Sequence, residues 1–151
     1  MTGESEMAKA DKLSEVENFA RVLMAATAEE PEAGGLALAC VVRNRREIAR
    51  RFSEARSRAH PHFGDGSLAK ACRSVLRDAG LPNAATAPPA PNAAGPDYYR
   101  ALATACLVLS GDQADPTQGA VDFHRHDELP DWASKRVPTA LIGSRLFYPP
   151  D

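Results

Sequence analysis

The chain of 151 residues is short of several things, and each shortage removes a class of function. Its three cysteines, Cys40, Cys72 and Cys106, are an odd number without a CxxC pair. Cys40 and Cys106 fall in apolar helical patterns, which predicts small buried side chains in a reducing compartment rather than a disulfide framework. Charge of one sign is also lacking. Lys and Arg number 18, Asp and Glu 20, and the formal net charge is -2, so the composition carries no global pull toward nucleic acid or anionic lipid. No apolar run approaches the roughly 20 residues of a membrane span, so membrane insertion is not expected. The N-terminal MTGESEMAKADKLSE is polar and acidic with no apolar core. The expectation is therefore no secretory signal and synthesis in the cytoplasm, with any work outside it needing another delivery route. Internal repeats are absent, and tryptophan occurs once, at Trp132.

What remains is an ordinary soluble composition, 44% hydrophobic and 25% charged, in a length that fits one domain with a real core. Residues 1–11 read as a tail and 12–151 as the domain. Leu13, Val16, Phe19, Ala20, Leu23 and Ala26 recur at helical spacing. AEEPEAGG breaks that helix, with Pro31 as the stop and a turn at Gly34 and Gly35. A second helix is expected from about Leu36 toward Arg51, its first turns buried on more than one face. Seven arginines between Arg43 and Arg58 form a basic stripe, which reads as a solvated helix face rather than a nucleic-acid site because no aromatics interleave it. HPHFGDGS is a loop, and Ser67 can cap a short helix ending near Ala79. Residues 81–96 form a Pro- and Ala-rich surface loop. A further helix runs from near Asp97 to Gly111, with Tyr98, Leu102, Ala105, Cys106 and Leu109 on its apolar face. Two strand-like pieces follow, VDFHRH and ALIGSRLFY. The fold class is mainly α with a small β element.

The stretch DPTQGAVDFHRHDELPDW, from Asp115 to Trp132, is the densest in chemistry. Asp115-Pro116-Thr117 makes a turn whose side chains can bond the backbone amides ahead. Gly119 and Ala120 leave room for close backbone approach beside a ligand groove. Alternation puts Val121, Phe123 and Arg125 on one face and Asp122, His124 and His126 on the other. That second face could hold a divalent metal or orient a sugar, or simply meet water. No metal is expected, because the H-x-H pair lacks a placed third ligand and His60 and His62 are distant in sequence.

DPTQGA, the Phe123-His124 pair, LPDW and IGSRLFY together resemble the C-terminal half of the SleB-type cell wall hydrolases, spore-cortex-lytic enzymes and their Gram-negative and phage relatives. FARVLMAATAEEPEAGGLALACVVRNR is similar to that family's first two helices through Arg21, Glu30, Pro31, Gly34, Ala37, Val41, Val42, Asn44 and Arg45. HFGDGSLAKACR resembles the proteobacterial branch. The resemblance spans Phe19 to Tyr148 in blocks of the right order. It implies a lysozyme-like, lytic-transglycosylase-like single domain acting on peptidoglycan at a MurNAc–GlcNAc linkage, with no cofactor. It also implies one glutamic acid of raised pKa as proton donor. A second carboxylate is dispensable if the muramic 6-hydroxyl attacks. The implied groove gathers Glu30, Asn44, Asp115, Thr117, His124 and Trp132, Trp132 serving as sugar platform or as core.

The sequence departs from the family at the residues that matter. The catalytic glutamate's position, five residues before the proline, is Ala26. Thr27 and Ala28 differ from the usual pattern, SVLRDAGLPNA replaces an aromatic segment, Asp122 replaces another polar residue, and Arg145 stands where the family has histidine. Three explanations follow: an engineered substitution at position 26, a natural non-catalytic relative, or catalysis moved to Glu29 or Glu30, one helical turn on. Glu30 matches the family's second glutamate, whose expected role is to order the helix turn. Two functional readings result. One is glycan-strand cleavage, as an N-acetylmuramidase or lytic transglycosylase, inactive here if Ala26 replaces the acid. The other is a non-catalytic module that binds peptidoglycan or a protein partner in a phage-like or secretion assembly.

Overall fold

The computed structural model describes residues 15–25, 32–54, 66–80 and 95–150. Ala26, Glu29, Glu30, His60, His62 and the 1–11 tail lie outside the described residues, as do residues 81–94 of the expected surface loop. The described part is mainly helical: α1 (15–25), α2 (Glu32–Glu54), α3 (Leu68–Asp78) and α4 (Gly95–Ser110), followed by β1 (Asp122–Arg125), a 3₁₀ turn (Asp131–Ala133), β2 (Ala140–Ile142) and β3 (Arg145–Tyr148).

The helix α2 organises the rest. Ala37, Leu38, Ala39, Cys40, Val41 and Val42 are all at most 2% exposed, so this stretch is apolar on every side, as a helix wrapped by its neighbours must be. It packs against α3, α4 and β2. On α1, Phe19, Ala20, Val22 and Leu23 are buried, and Leu68, Ala71, Val75 and Leu76 of α3 close the same core with Tyr98, Ala105 and Val108 of α4. The helix begins earlier than its pattern indicates. Gly34 and Gly35, expected in a turn, lie buried in its first turns. Two interior glycines cost a helix about 1 kcal/mol each, and here packing against the core overrides that local preference. Likewise Pro96 belongs to the first turn of α4 rather than to the loop before it, a place where the missing amide hydrogen is no loss.

Ser67 caps α3, its side chain accepting from the Lys70 amide at 3.3 Å. Gly66 before it has φ +93°, and a Cβ there would meet Cγ of Arg50 at 2.5 Å, so glycine answers both the backbone conformation and the close approach of α2. Arg50 Nε in turn donates to the Gly66 carbonyl at 3.0 Å.

The sheet has order β1-β3-β2, antiparallel throughout. ALIGSRLFY is thus a hairpin of two strands rather than one extended piece, turning at Gly143 with φ +61°. Phe123 pairs across strands with Phe147, the rings 6.0 Å apart, and both are buried toward the helices.

Two further expectations are corrected. Cys40 and Cys72 are buried as expected, but Cys106 is exposed; the inward place on α4 goes to Val108, at 0% exposure, because the apolar arc there is wider than one stripe. The arginine stripe is a solvated face only in part: Arg50 and Arg51 are exposed, Arg56 and Arg58 lie outside the described residues, and the first arginines turn inward. Arg45 is 1% exposed, and Arg43 donates to the Val108 carbonyl at 3.4 Å.

Candidate functional site

Two polar clusters fasten the C-terminal segment to α2, and Asn44, Asp115, Thr117, His124 and Trp132 divide between them, while Ala26 and Glu30 lie outside the described residues.

The first is built on Asp115. Its Oδ1 accepts from the Thr117 amide at 2.8 Å and the Thr117 hydroxyl at 2.6 Å, and its Oδ2 accepts from the Gly119 amide and from Asn44 Nδ2, both at 2.9 Å. Asn44 Nδ2 also donates to the Ala120 carbonyl at 2.9 Å, and Thr117 Oγ1 accepts from the Ala120 amide at 3.2 Å. This is the Asx-type turn that DPT encodes, locked to α2 by Asn44. Burial alone would raise the Asp115 pKa, but the hydrogen bonds from Thr117, Asn44 and Gly119 outweigh it and hold the carboxyl below its ordinary value. Gly119 does not serve close approach: a Cβ there would meet nothing within 4 Å, and φ +86° is what calls for glycine. Nearby Cys40 is no nucleophile, since burial, reinforced by the Asp115 charge, pushes its thiol up to about 12. Asn44, Asp115 and Thr117 therefore come together, with Thr117 fully buried, in a knot that is closed on itself.

The second cluster opens on a cavity of about 900 Å³, within the roughly 300–1,000 Å³ of small-molecule sites. The end of α3, β1, the 3₁₀ turn and Arg136 wall it, and Arg45 reaches into it from α2. Arg45 Nε donates to the Val121 carbonyl at 2.6 Å, Nη1 to Ser74 Oγ at 3.0 Å, and Nη2 lies 2.8 Å from Asp78 and 3.6 Å from Asp122. Its planar fork thus joins α2, α3 and β1, a geometry that the compact ammonium of lysine does not reproduce. Burial lowers the Arg45 pKa, and the charges of Asp78 and Asp122 counter it. On the other side Asp122 accepts from Arg136 Nη1 at 2.8 Å, and Arg136 Nη2 donates to the Pro149 carbonyl.

Above this ionic floor lies an aromatic group. The 3₁₀ turn presents Trp132, which is 42% exposed and lines the cavity. Its ring meets His124 edge-on at 5.6 Å and Tyr148 at 5.2 Å, while the Arg136 guanidinium sits 5.4 Å from both the Trp132 and the Tyr148 rings. His124 and Tyr148 are diagonal neighbours on one face of the sheet. His124 Nδ1 is 2.6 Å from the Arg125 carbonyl and Nε2 is 2.8 Å from the Tyr148 hydroxyl. A carbonyl only accepts, so Nδ1 carries a proton, and Nε2 shares a hydrogen bond with the tyrosine hydroxyl. Trp132 is thus a wall of the cavity rather than core.

Within β1 Asp122 and His124 share a face, but His126 falls in the turn that follows the strand, and the three form no common site. Asp122 is held by arginines, His124 by Tyr148, and His126 is exposed. Among the described residues no group of three His, Cys, Asp or Glu side chains could hold one metal ion. The sequence reading missed Tyr148, Arg136 and Asp78. Arg136 and Asp78 carry no motif, while the single polar end of LFY was a signal for Tyr148. Comparison with protein-family models, curated proteins and solved structures finds no match.

Proposed function

We propose that the chain binds peptidoglycan glycan strands in the cavity beside Trp132, as a non-catalytic relative of the SleB-type cell wall hydrolases with a lysozyme-like fold. The observation that carries this reading is Trp132 itself. A half-exposed indole, braced by Tyr148, His124 and Arg136, is a rigid apolar platform beside fixed polar donors, the combination a pyranose ring needs. Cleavage asks for a carboxylic acid aimed at the glycosidic oxygen. Of the three carboxylates that line the cavity, Asp78 and Asp122 are engaged by arginines and Glu128 is exposed to solvent, whereas a general acid of raised pKa needs a desolvated carboxyl. The residue at the family's acid position is Ala26, which has no proton to give.

Purified peptidoglycan sacculi should pull the protein down, Trp132→Ala should weaken the sedimentation, and the turbidity of the suspension should not fall. Falling turbidity with the unaltered chain would replace this reading with the enzymatic one, and Glu30 would then be the first residue to substitute. Failure to sediment would remove peptidoglycan altogether. The resemblance favours cleavage as the ancestral activity, so Ala26→Glu should add lysis, a single general acid contributing roughly 10²–10⁴ in rate.

A further inference from the structure

The sheet ends on β1, whose outer edge meets the cavity rather than another strand. In the order β1-β3-β2 only one side of β1 is paired, and all of its residues, Asp122 to Arg125, line the cavity. The alternation of an antiparallel ladder decides which of its backbone groups are used. On β3 the Phe147 carbonyl accepts from Thr139 beside β2, while the Ser144 and Tyr148 carbonyls accept from His126 and Val121 at the two ends of β1. Asp122 and His124 therefore turn their amides and carbonyls toward β3, and Phe123 and Arg125 turn theirs to the outer edge. Two carbonyls on that edge are taken. Val121 accepts from Arg45 Nε at 2.6 Å, and Arg125 accepts from the Glu128 amide at 3.0 Å and from His124 Nδ1 at 2.6 Å. Between them the N–H and C=O of Phe123 meet no partner among the described residues. An N–H and a C=O on one strand residue are the pair that a residue of an added antiparallel strand completes with two hydrogen bonds. The charges around this edge are settled with one exception. Arg45 and Arg136 face Asp78 and Asp122, Arg77 faces Asp78, and Arg125 faces Asp127. Glu128, on the wall of the same cavity, makes no ion pair among the described residues.

We infer that the cavity takes an extended peptide against the β1 edge, the stem peptide that peptidoglycan carries on muramic acid, with Phe123 supplying the backbone pairing and Glu128 meeting a free amino group of the stem. The inference rests on the glycan-binding reading and deepens it: the sugar lies on Trp132, and the peptide attached to that sugar runs along β1. A stem peptide fits both features. It is a chain of amides, and a stem containing a diamino acid bears an ammonium wherever it is not cross-linked. A cross-linked stem has a neutral amide at the same place, so Glu128 favours material without cross-links.

The test compares four ligands by equilibrium binding: a muropeptide with a free diamino-acid amine, the same muropeptide acetylated at that amine, the disaccharide from which an amidase has removed the peptide, and the free stem peptide. The muropeptide should bind about tenfold more tightly than the stripped disaccharide, as two net hydrogen bonds predict. Acetylation should weaken it about two- to fivefold, the range of an exposed ion pair. Glu128→Gln, at an exposed position, should erase that second difference, and Asp112→Asn, an exposed charge outside the cavity, should leave it. Amide hydrogen exchange reads the backbone pairing: the muropeptide should slow exchange at Phe123 and leave His124, already turned to β3, unchanged. Equal affinity for muropeptide and stripped disaccharide, or a bound muropeptide that leaves Phe123 exchange as it was, would overturn the inference and leave the glycan reading standing. So would equal protection of Phe123 by the stripped disaccharide, which would put a sugar acetamido group on the edge instead. A Glu128→Gln variant that still distinguishes the acetylated amine would overturn the charge assignment. Binding of the free stem peptide with none of the disaccharide would keep the β1 site and remove the glycan reading, and binding of no ligand would overturn both.

Discussion

Asp115 and Asp122 both lie in the C-terminal segment and both receive a side chain from α2, one from Asn44 and the other from Arg45. Around Asp115 the partners are neutral amides and a hydroxyl, with Arg43 more distant at 3.7 Å. Every donor in that knot points inward, and its product is a rigid turn. Around Asp122 the partners are guanidiniums, Arg45 at 3.6 Å and Arg136 at 2.8 Å, and both arginines also line the cavity beside Trp132. The difference teaches that an Asp–Thr–Asn constellation and an Asp–Arg–aromatic constellation can look alike along the chain while only the second opens on the cavity.

The largest effect should come from the residue on which the open cluster depends. Arg45→Leu strips the buried guanidinium that joins Val121, Ser74, Asp78 and Asp122. Both carboxylates are part-exposed and keep Arg77 and Arg136, so the cost should stay below the roughly 3–5 kcal/mol of a fully buried pair. That is still a large share of a small domain's stability. Urea titration followed by circular dichroism should show the midpoint falling accordingly. Arg45→Lys should recover only part of the loss, since it restores charge but not the fork. A midpoint unchanged in Arg45→Leu would mean that the three elements it joins are held by the apolar core alone.

Asp115→Ala comes next. It strips the acceptor from Thr117, Gly119 and Asn44 at once, and donors left unsatisfied where burial denies them water cost about 1–3 kcal/mol. Because this knot does not line the cavity, affinity for sacculi per folded molecule should be unchanged. A weakened affinity in the folded variant would erase the distinction between the closed and the open cluster. Trp132→Ala is the reverse case. Half-exposed, it should alter the unfolding midpoint little and lose roughly tenfold in glycan affinity, measured on the same two assays.

How much of this was legible in the sequence follows from range. The helices were readable because their signals are local: the spacing of Phe19, Ala20 and Leu23, and Ser67 as a cap. The DPT turn was readable for the same reason, since Asp115 and Thr117 need only each other and the amides ahead. Asn44 was found through a family pattern, and nothing in α2 announces that its partner lies 71 positions along the chain. Arg45 was misread within a solvated stripe because burial of an arginine depends on carboxylates and a carbonyl supplied by α3 and β1. Gly34 and Gly35 were misread because their local preference is for a turn and the core decides otherwise.

The smallest expected effect concerns pH and only the closed knot. The folded Asp115 carboxyl lies below its ordinary value of 3.8, so the unfolded chain takes up this proton first on acidification. The stabilisation is therefore fully present above the unfolded pKa, near pH 4, and is lost as pH falls through the folded value. Asp115→Asn abolishes that titration while keeping the side chain's size, although its amide group replaces one acceptor by donors and costs stability at neutral pH. The difference in unfolding free energy between the unaltered protein and Asp115→Asn should be constant from pH 7 to about 5. It should shrink below pH 4, because protonated Asp115 also loses an acceptor to its own O–H. A difference that stays flat to pH 3 would show that Asn44, Thr117 and Gly119 hold the turn equally well around a neutral side chain. The contrast between an ionic cavity and a hydrogen-bonded knot would then rest on shape rather than on charge.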